Sequence, residues 1–162
     1  MEKFTFFYGR DSGAHLIFSQ WYRCKFQVDA IYYNCCEQFM MASKARLFGD
    51  DLILNKIMRT TNPKTQKTLG RSISGFNVNV WNDRCRDYVY EANWAKFTQN
   101  MVLKEELLAT AGTTLVEASA DDKLWGIGRG MTDPGRLDRS TWQGTNWLGE
   151  VLTKVREDII ND

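Results

Sequence analysis

Histidine is almost missing from this 162-residue chain, His15 being the only one. A zinc centre built on two imidazoles is thereby excluded, and a Ser-His triad is disfavoured because His15 falls in the turn-like stretch DSGAHL. Proline is nearly as scarce, with two residues, and no Gly/Ser linker, low-complexity tract or internal repeat interrupts the chain. One domain over residues 1–162 is therefore expected. No apolar run approaches the roughly 18 residues of a membrane span, and MEKFTFFYGR lacks the basic n-region and apolar core of a signal peptide. A cytoplasmic location is the expectation, with the nucleus the other compartment of the same chemistry. Charge of one sign is missing too: 21 basic against 20 acidic residues leave a formal +1. No global field draws such a chain onto nucleic acid or an anionic membrane, so any nucleic-acid contact must be local. The four cysteines form no CxxC, and Cys35 and Cys36 are adjacent, a poor geometry for bridging to each other. Free thiols are expected.

What is present is 43% hydrophobic and 13% aromatic, enough for a sizeable core. KFTFFY and LIF read as strands, and KFQVDAIYYN as a hairpin turning at Asp29 and Ala30. A helix is predicted from about Asn34 to Phe48, stopped by Gly49 and followed by DLILNKIM, which Asp50 and Asp51 cap. Asn62 followed by Pro63 marks another helix start. Apolar residues recur at helical spacing from Asn77 to about Phe97, and MVLKEELLATA forms a further helix ending at Gly112. TTLVEAS is β-branched and reads as a strand, WGIGRGMTDPGR as a loop, and Trp147 to about Ile159 as an amphipathic helix with Val151, Leu152 and Val155 inward. The sum is an α+β domain, mostly helical, with one small sheet built from the N-terminal strands and the Leu115 strand.

Three stretches carry candidate chemistry. Glu37 and Lys44, seven positions apart in NCCEQFMMASKARLFGDD, share a helical face with Met40, Met41, Leu47 and Phe48. Their Cα atoms lie about 10 Å apart along the axis, so both side chains can reach one cleft. Poor hydration lowers the pKa of a lysine and raises that of a glutamate, giving a nucleophilic amine beside a proton-transfer acid. The alternative is that both snorkel out at the helix edge. In DDKLWGIGRG, Gly126, Gly128 and Gly130 alternate, with Trp125 beside them and Asp121 and Asp122 before them. Alternating glycines permit a ligand to approach the backbone, and the indole offers a stacking plane; an ordinary surface turn fits equally well. In GTNWLGEVL, Asn146 can cap the last helix, whose start would suit a phosphate. Six tryptophans, more than a small core requires, add further planes. An acid, an amine, a second acid, a glycine loop and aromatic planes together fit an enzyme acting on a nucleotide or ribosyl phosphate.

The order of these motifs resembles the NADAR superfamily of YbiA-like proteins. The match runs through FSQWY, FQVDAIYYNCCEQFMMASKARLFGD, LGRSISGF, Trp81, KFTQN, LLATAGTTLVEAS, DKLWGIG and GTNWLGEVLTKVR, about residues 15 to 157. The resemblance implies a YbiA-like fold and an N-glycosidase that needs neither cofactor nor metal. Two substrate branches follow from it: ADP-ribose attached to guanine, in a nucleotide or nucleic acid, and phosphorylated ribosylamino-pyrimidine intermediates of riboflavin synthesis. A non-catalytic module binding ADP-ribose or NAD is the rival from another class. Glu37, Lys44 and Asp122 fall on the family's catalytic positions. Trp21, Arg71, Trp81, Lys96, Trp125, Gly126, Gly128 and Asn146 fall on positions expected to contact substrate. The chain departs from the family at Arg23, where Pro is usual, and at Asp29-Ala30, where the turn is usually Asp-Gly.

Overall fold

The computed structural model describes residues 1–9 and 15–162, so most of the predicted DSGAHL turn lies outside the described residues. The chain divides into two compact units, Arg23–Gln99 and the combination of Met1–Tyr22 with Asn100–Asp162.

In the second of these, strand β1 (Phe4–Phe7) lies parallel to a strand from Thr114 to Glu117, with Thr5 opposite Leu115 and Phe7 opposite Glu117. The predicted LIF strand is instead a 3-10 turn, Leu16–Phe18, opened by His15 in the left-handed region at φ 51°. Three apolar residues cannot distinguish a strand from a buried turn. His15 itself is exposed, as a turn histidine should be.

Arg23–Gln99 opens with a hairpin, β2 (Phe26–Val28) and β3 (Ile31–Tyr33), paired antiparallel with Phe26 opposite Tyr33. The two turn residues, Asp29 at φ 50° and Ala30 at φ 63°, adopt the left-handed geometry of a primed turn, matching the right-handed twist of the strands. The single small sheet expected from the sequence is thus corrected to two separate two-stranded ribbons, numbered β1 with β4 (Thr114–Glu117) and β2 with β3. Strand patterns reveal the segments; their partners depend on contacts far apart in sequence.

Helix α1 (Cys36–Leu47) follows the hairpin and is packed by α2 (Asp51–Arg59), α3 (Pro63–Arg71) and α4 (Val78–Gln99). Every residue from Cys36 to Ser43 is buried, so α1 is a central helix rather than one with a single oily stripe. A polar network fixes its start. Asn34 N–H donates to Gln38 Oε1 at 2.9 Å, and Gln66 Nε2 donates to Asn34 Oδ1 at 3.0 Å and to the Thr60 carbonyl at 2.8 Å. Asp50 Oδ1 caps α2 through Ile53 N–H, and Asn62 Oδ1 caps α3 through Lys64 N–H at 2.9 Å, with Pro63 at the first helical position. All four cysteines are free thiols, Cys35, Cys36 and Cys85 buried.

The remaining helices, α5 (Met101–Leu108) and α6 (Trp147–Asn161), belong to the unit of β1 and β4. Side chains from α6 and from the residue before it occupy the free edge of β4: Leu115 N–H donates to Thr153 Oγ1 and Glu117 N–H to Asn146 Oδ1. An otherwise unpaired strand edge is thereby closed without a further strand. Arg156, 2% exposed, donates from α6 to the carbonyls of Thr110 and Thr113.

Candidate functional site

Helix α1 carries Glu37 in its first turn and Lys44 near its last. The carboxyl side of the pair is almost wholly withdrawn from water, Glu37 being 6% exposed. Burial, the largest influence, pushes its pKa up to about 7, against the pull of three nearby cations, Lys67, Lys44 and Arg71. The carboxyl accepts no hydrogen bond from any described residue, which leaves its lone pairs open to a proton exchange.

Lys44 is half-buried, and its Nζ donates to the Gly70 carbonyl at 2.8 Å. The ammonium lies 4.5 Å from the centroid of the Phe76 ring and 5.4 Å from that of Trp81. Burial lowers its pKa; Glu37 opposes that shift and Arg71 adds to it. The two aromatic faces hold the amine in place, and the loss of hydration around it outweighs their attraction for the cation, so it loses its proton more readily than a surface lysine. Of the two sequence readings, inward-turned or snorkelling, the inward one describes Glu37, and Lys44 sits at the boundary.

The approach of α3 to α1 depends on Gly70, where a Cβ would collide with the Met41 sulfur. That close contact puts the Gly70 carbonyl against Lys44 and brings Arg71, the next residue, beside the pair. Trp81, 8% exposed, enters from α4. Phe76 stands in the α3–α4 link, 46% exposed, with its edge toward Phe48 at 5.4 Å between centroids. Phe76 and Lys67 were missed as site residues by sequence reasoning. The signal for Lys67 was present in PKTQKTLGR, where Lys64, Lys67 and Arg71 recur at helical spacing; nothing local marks Phe76 beyond the preceding glycine.

Lys96, also expected at the site, is fully buried on α4, its ammonium 5.0 Å from the Phe97 ring and its charge felt by Cys24 and Cys36. The thiols offer no rival nucleophile: burial pushes Cys35 up to about 12 and raises Cys36 as well. Among the described residues no three His, Cys, Asp or Glu side chains gather as metal ligands would.

The other expected residues are brought together in the second unit, where they organise a loop. Asp122 Oδ1 accepts from Leu124 N–H at 2.9 Å and from Trp125 N–H at 2.8 Å. Gly128, at φ 67°, returns its N–H to the Asp122 carbonyl at 3.0 Å. A Cβ on Gly126 would crowd the carbonyls of Asp122 and Glu117, and one on Gly128 the Gln143 and Lys123 side chains. The glycines therefore admit the chain's own backbone, a use different from the ligand approach considered from sequence. Trp125 is half-buried with its ring edge-on to Trp147, centroids 5.6 Å apart. Asn146 is fully buried at φ 53°, and its side chain bonds the Glu117 N–H and the Leu115 carbonyl, both at 3.0 Å, rather than capping α6. The first amides of α6 are engaged too, Trp147 N–H with the Leu124 carbonyl and Leu148 N–H with that of Trp125. Trp21 is half-buried, its backbone N–H donating to Ser19 Oγ at 3.2 Å.

Comparison with known proteins follows the same outline. An N-glycosidase of Acanthamoeba polyphaga mimivirus is 41% identical over 165 residues, spanning 97% of this chain and 96% of that one. A riboflavin biosynthesis protein of Vibrio vulnificus is 28% identical over 159 residues, 98% of this chain but 39% of its own length. The NMR structure of YbiA from Escherichia coli superposes with a TM-score of 0.80 at 27% identity, covering 99% of this chain and 88% of that one. The mostly helical α+β fold is accordingly YbiA-like, and no helix among the described residues is long and apolar enough to cross a membrane. With the NADAR domain model matching residues 6–160, the chain belongs to the NADAR family.

Proposed function

We propose that this chain is an N-glycosidase that cleaves the C1–N bond of a ribosyl phosphate compound, and that its substrate is ADP-ribose attached to guanine, in a nucleotide or a nucleic acid. The observation carrying the reading is the pairing on α1 of a buried carboxyl with raised pKa and an amine with lowered pKa that rests between two aromatic rings. A binding module needs donors for phosphate; it has no use for an acid and an amine tuned toward each other. The near full-length similarity to a viral protein named N-glycosidase supports the same reaction.

In this mechanism the unprotonated Lys44 amine attacks C1 of the ribose, forming a C1–Nζ bond. The C1–N bond to the base breaks, its electron pair leaves with the base nitrogen, and Glu37 supplies the proton that neutralises it. Ring opening turns the adduct into a protonated imine, which water hydrolyses to free sugar, with Glu37 carboxylate accepting the proton from that water. A carboxylate-only route uses the same atoms differently: C1 develops oxocarbenium character as the base departs, and water activated by Glu37 completes the displacement.

Purified protein given ADP-ribosylated guanine in an oligonucleotide and, in parallel, a ribosylamino-pyrimidine phosphate tests the substrate. Release of ADP-ribose from the first alone is expected. Release from the second alone would move the assignment to the riboflavin branch, a reading favoured by the relative named for riboflavin biosynthesis. Tight binding of ADP-ribose without turnover would replace catalysis with recognition. Borohydride added during turnover is expected to trap the sugar on Lys44; its failure to do so, with turnover retained in Lys44→Ala, would select the carboxylate route.

A further inference from the structure

The near-neutral balance of the whole chain conceals a division. Arg23–Gln99 carries twelve Lys and Arg against seven Asp and Glu, whereas the other unit carries nine against thirteen. The cationic unit is the one that holds Glu37 and Lys44, so anion recognition must be sought there, contrary to what the total implies.

Within that unit, α3 sorts its residues by face. Pro63, Gln66 and Gly70 are buried and recur at three- and four-residue steps, forming the inward side. Lys64, Lys67 and Arg71 recur at the same steps one position later, about 100° round the helix. Lys64 and Arg71 are exposed, and neither side chain has an ion pair or hydrogen bond with any described residue. The stripe ends at the acid/amine pair: the Gly70 carbonyl that holds Lys44 Nζ immediately precedes Arg71, and the Glu37 carboxyl feels both Lys67 and Arg71. Lys44 and Arg71 beside one buried acid leave an excess of positive charge that a single carboxyl does not neutralise.

We propose that the face of α3 presenting Lys64 and Arg71 binds the phosphate groups of the substrate, with the ribose C1 lying at Lys44. The assignment rests on the ribosyl phosphate reading above and specifies how that substrate is held. The start of α6, the phosphate site suggested by sequence, is poorly suited, because its first amides already serve loop carbonyls and Asn146 is fully buried. From Arg71 to Lys64 the stripe runs about 10 Å, longer than one phosphate. A diphosphate or two consecutive phosphodiesters can therefore lie along it, with Arg71 gripping the group nearest the sugar and Lys64 the next. Arginine suits the first role, because its planar fork can hold two phosphate oxygens at once.

Titration calorimetry on the full chain tests this with three probes: inorganic pyrophosphate, ADP-ribose and a short single-stranded oligonucleotide, each at low and moderate salt. Arg71→Glu is expected to weaken all three by about tenfold or more, and Arg71→Lys to restore most of the loss. Lys64→Glu is expected to weaken ADP-ribose or the oligonucleotide, and whichever falls further identifies the diphosphate or the phosphodiester as the natural occupant. In turnover the change should appear in KM with little change in kcat. Equal affinities in the parent and both reversal variants, with circular dichroism unchanged, would overturn the proposal, as would absence of saturable binding by the parent. The two readings fail separately: binding that depends on Arg71 without turnover discards the N-glycosidase and keeps the phosphate face, and turnover with KM indifferent to Arg71→Glu does the reverse.

Discussion

The Lys44 amine and the Gly70 carbonyl stand 2.8 Å apart, joining the nucleophile candidate of one helix to the last turn of another at a point where only a hydrogen atom fits beneath Met41. Gly70→Ala should force α3 away from α1 or displace Met41, moving both the acceptor and Arg71. Overpacking of this kind costs about 1–3 kcal/mol. The expected result is a lower Tm together with a loss of turnover larger than the fraction unfolded explains, measured by thermal melts and initial rates on the same preparation. Normal kcat in a normally folded Gly70→Ala protein would show that the Lys44 position tolerates drift.

Glu37 should make stability depend on pH in an unusual direction. Its folded pKa of about 7 lies above the ordinary 4.5, so the native state holds a proton that the unfolded chain releases between those values. Stability from this group is full below about pH 4.5 and is lost as pH rises through about 7, amounting to about 3 kcal/mol at most. Denaturant titrations at pH 5 and pH 8 should show the parent losing stability across the interval and Glu37→Gln losing less. If Glu37 protonates the departing base, turnover of the parent should also fall above about pH 7.

Phe76 is the exposed one of the two rings over Lys44. Its removal in Phe76→Ala should admit water to the ammonium and shift the Lys44 pKa upward, toward that of a solvated lysine. NMR titration of isotopically methylated lysines reads this directly. An unchanged Lys44 titration would assign the lowered pKa to Trp81 and the buried flank alone.

Ala30 occupies a left-handed turn position at φ 63° that favours glycine. Such a conformation costs a residue with a Cβ about 1–2 kcal/mol, and glycine gives part of that back as extra freedom in the unfolded chain. Ala30→Gly is therefore expected to stabilise the protein by about 0.5–1 kcal/mol, a rise in Tm of about 1–4 °C for a chain of this size. A fall in Tm would mean that entropy outweighs the strain at this turn.

Asp122 has a structural duty that can be separated from a chemical one. Asp122→Asn keeps an oxygen for the Leu124 and Trp125 amides, while Asp122→Ala leaves both without it. The Ala variant should lose about 1 kcal/mol, as lost caps do, and the Asn variant much less. A drop in kcat in the Asn variant at unchanged Tm would assign the carboxylate to the reaction.

Much of this fold is legible along the chain because its helices announce themselves locally. Asn62-Pro63 and Asp50 mark true helix starts, and Leu152 and Val155 on α6 are buried as their spacing predicts. The hairpin was legible at Asp29-Ala30 even without glycine. Pairing between β1 and β4 joins residues more than a hundred positions apart, so the expectation of one sheet could not be corrected from local pattern. Glu37 and Lys44 were legible because a charged pair on an apolar face is costly and calls for a reason. The contribution of Lys67 and Phe76 was not, since it arises only when Gly70 lets α3 settle on α1, and Arg71 was expected from the family resemblance rather than from its local pattern. Asn146 was misread for a related reason: its sequence position suits a cap, whereas its side chain turns back to β4.

That turn of Asn146 bears on how tolerance to substitution should be interpreted. Glycine would accept its backbone angles but forfeit two hydrogen bonds, aspartate would set an oxygen against the Leu115 carbonyl, and larger groups have no room in a fully enclosed position. A saturation screen scored by survival would deplete Asn146 as thoroughly as a catalytic group, although its work is joinery. Only counting folded molecules separately from product would tell the two kinds of indispensability apart.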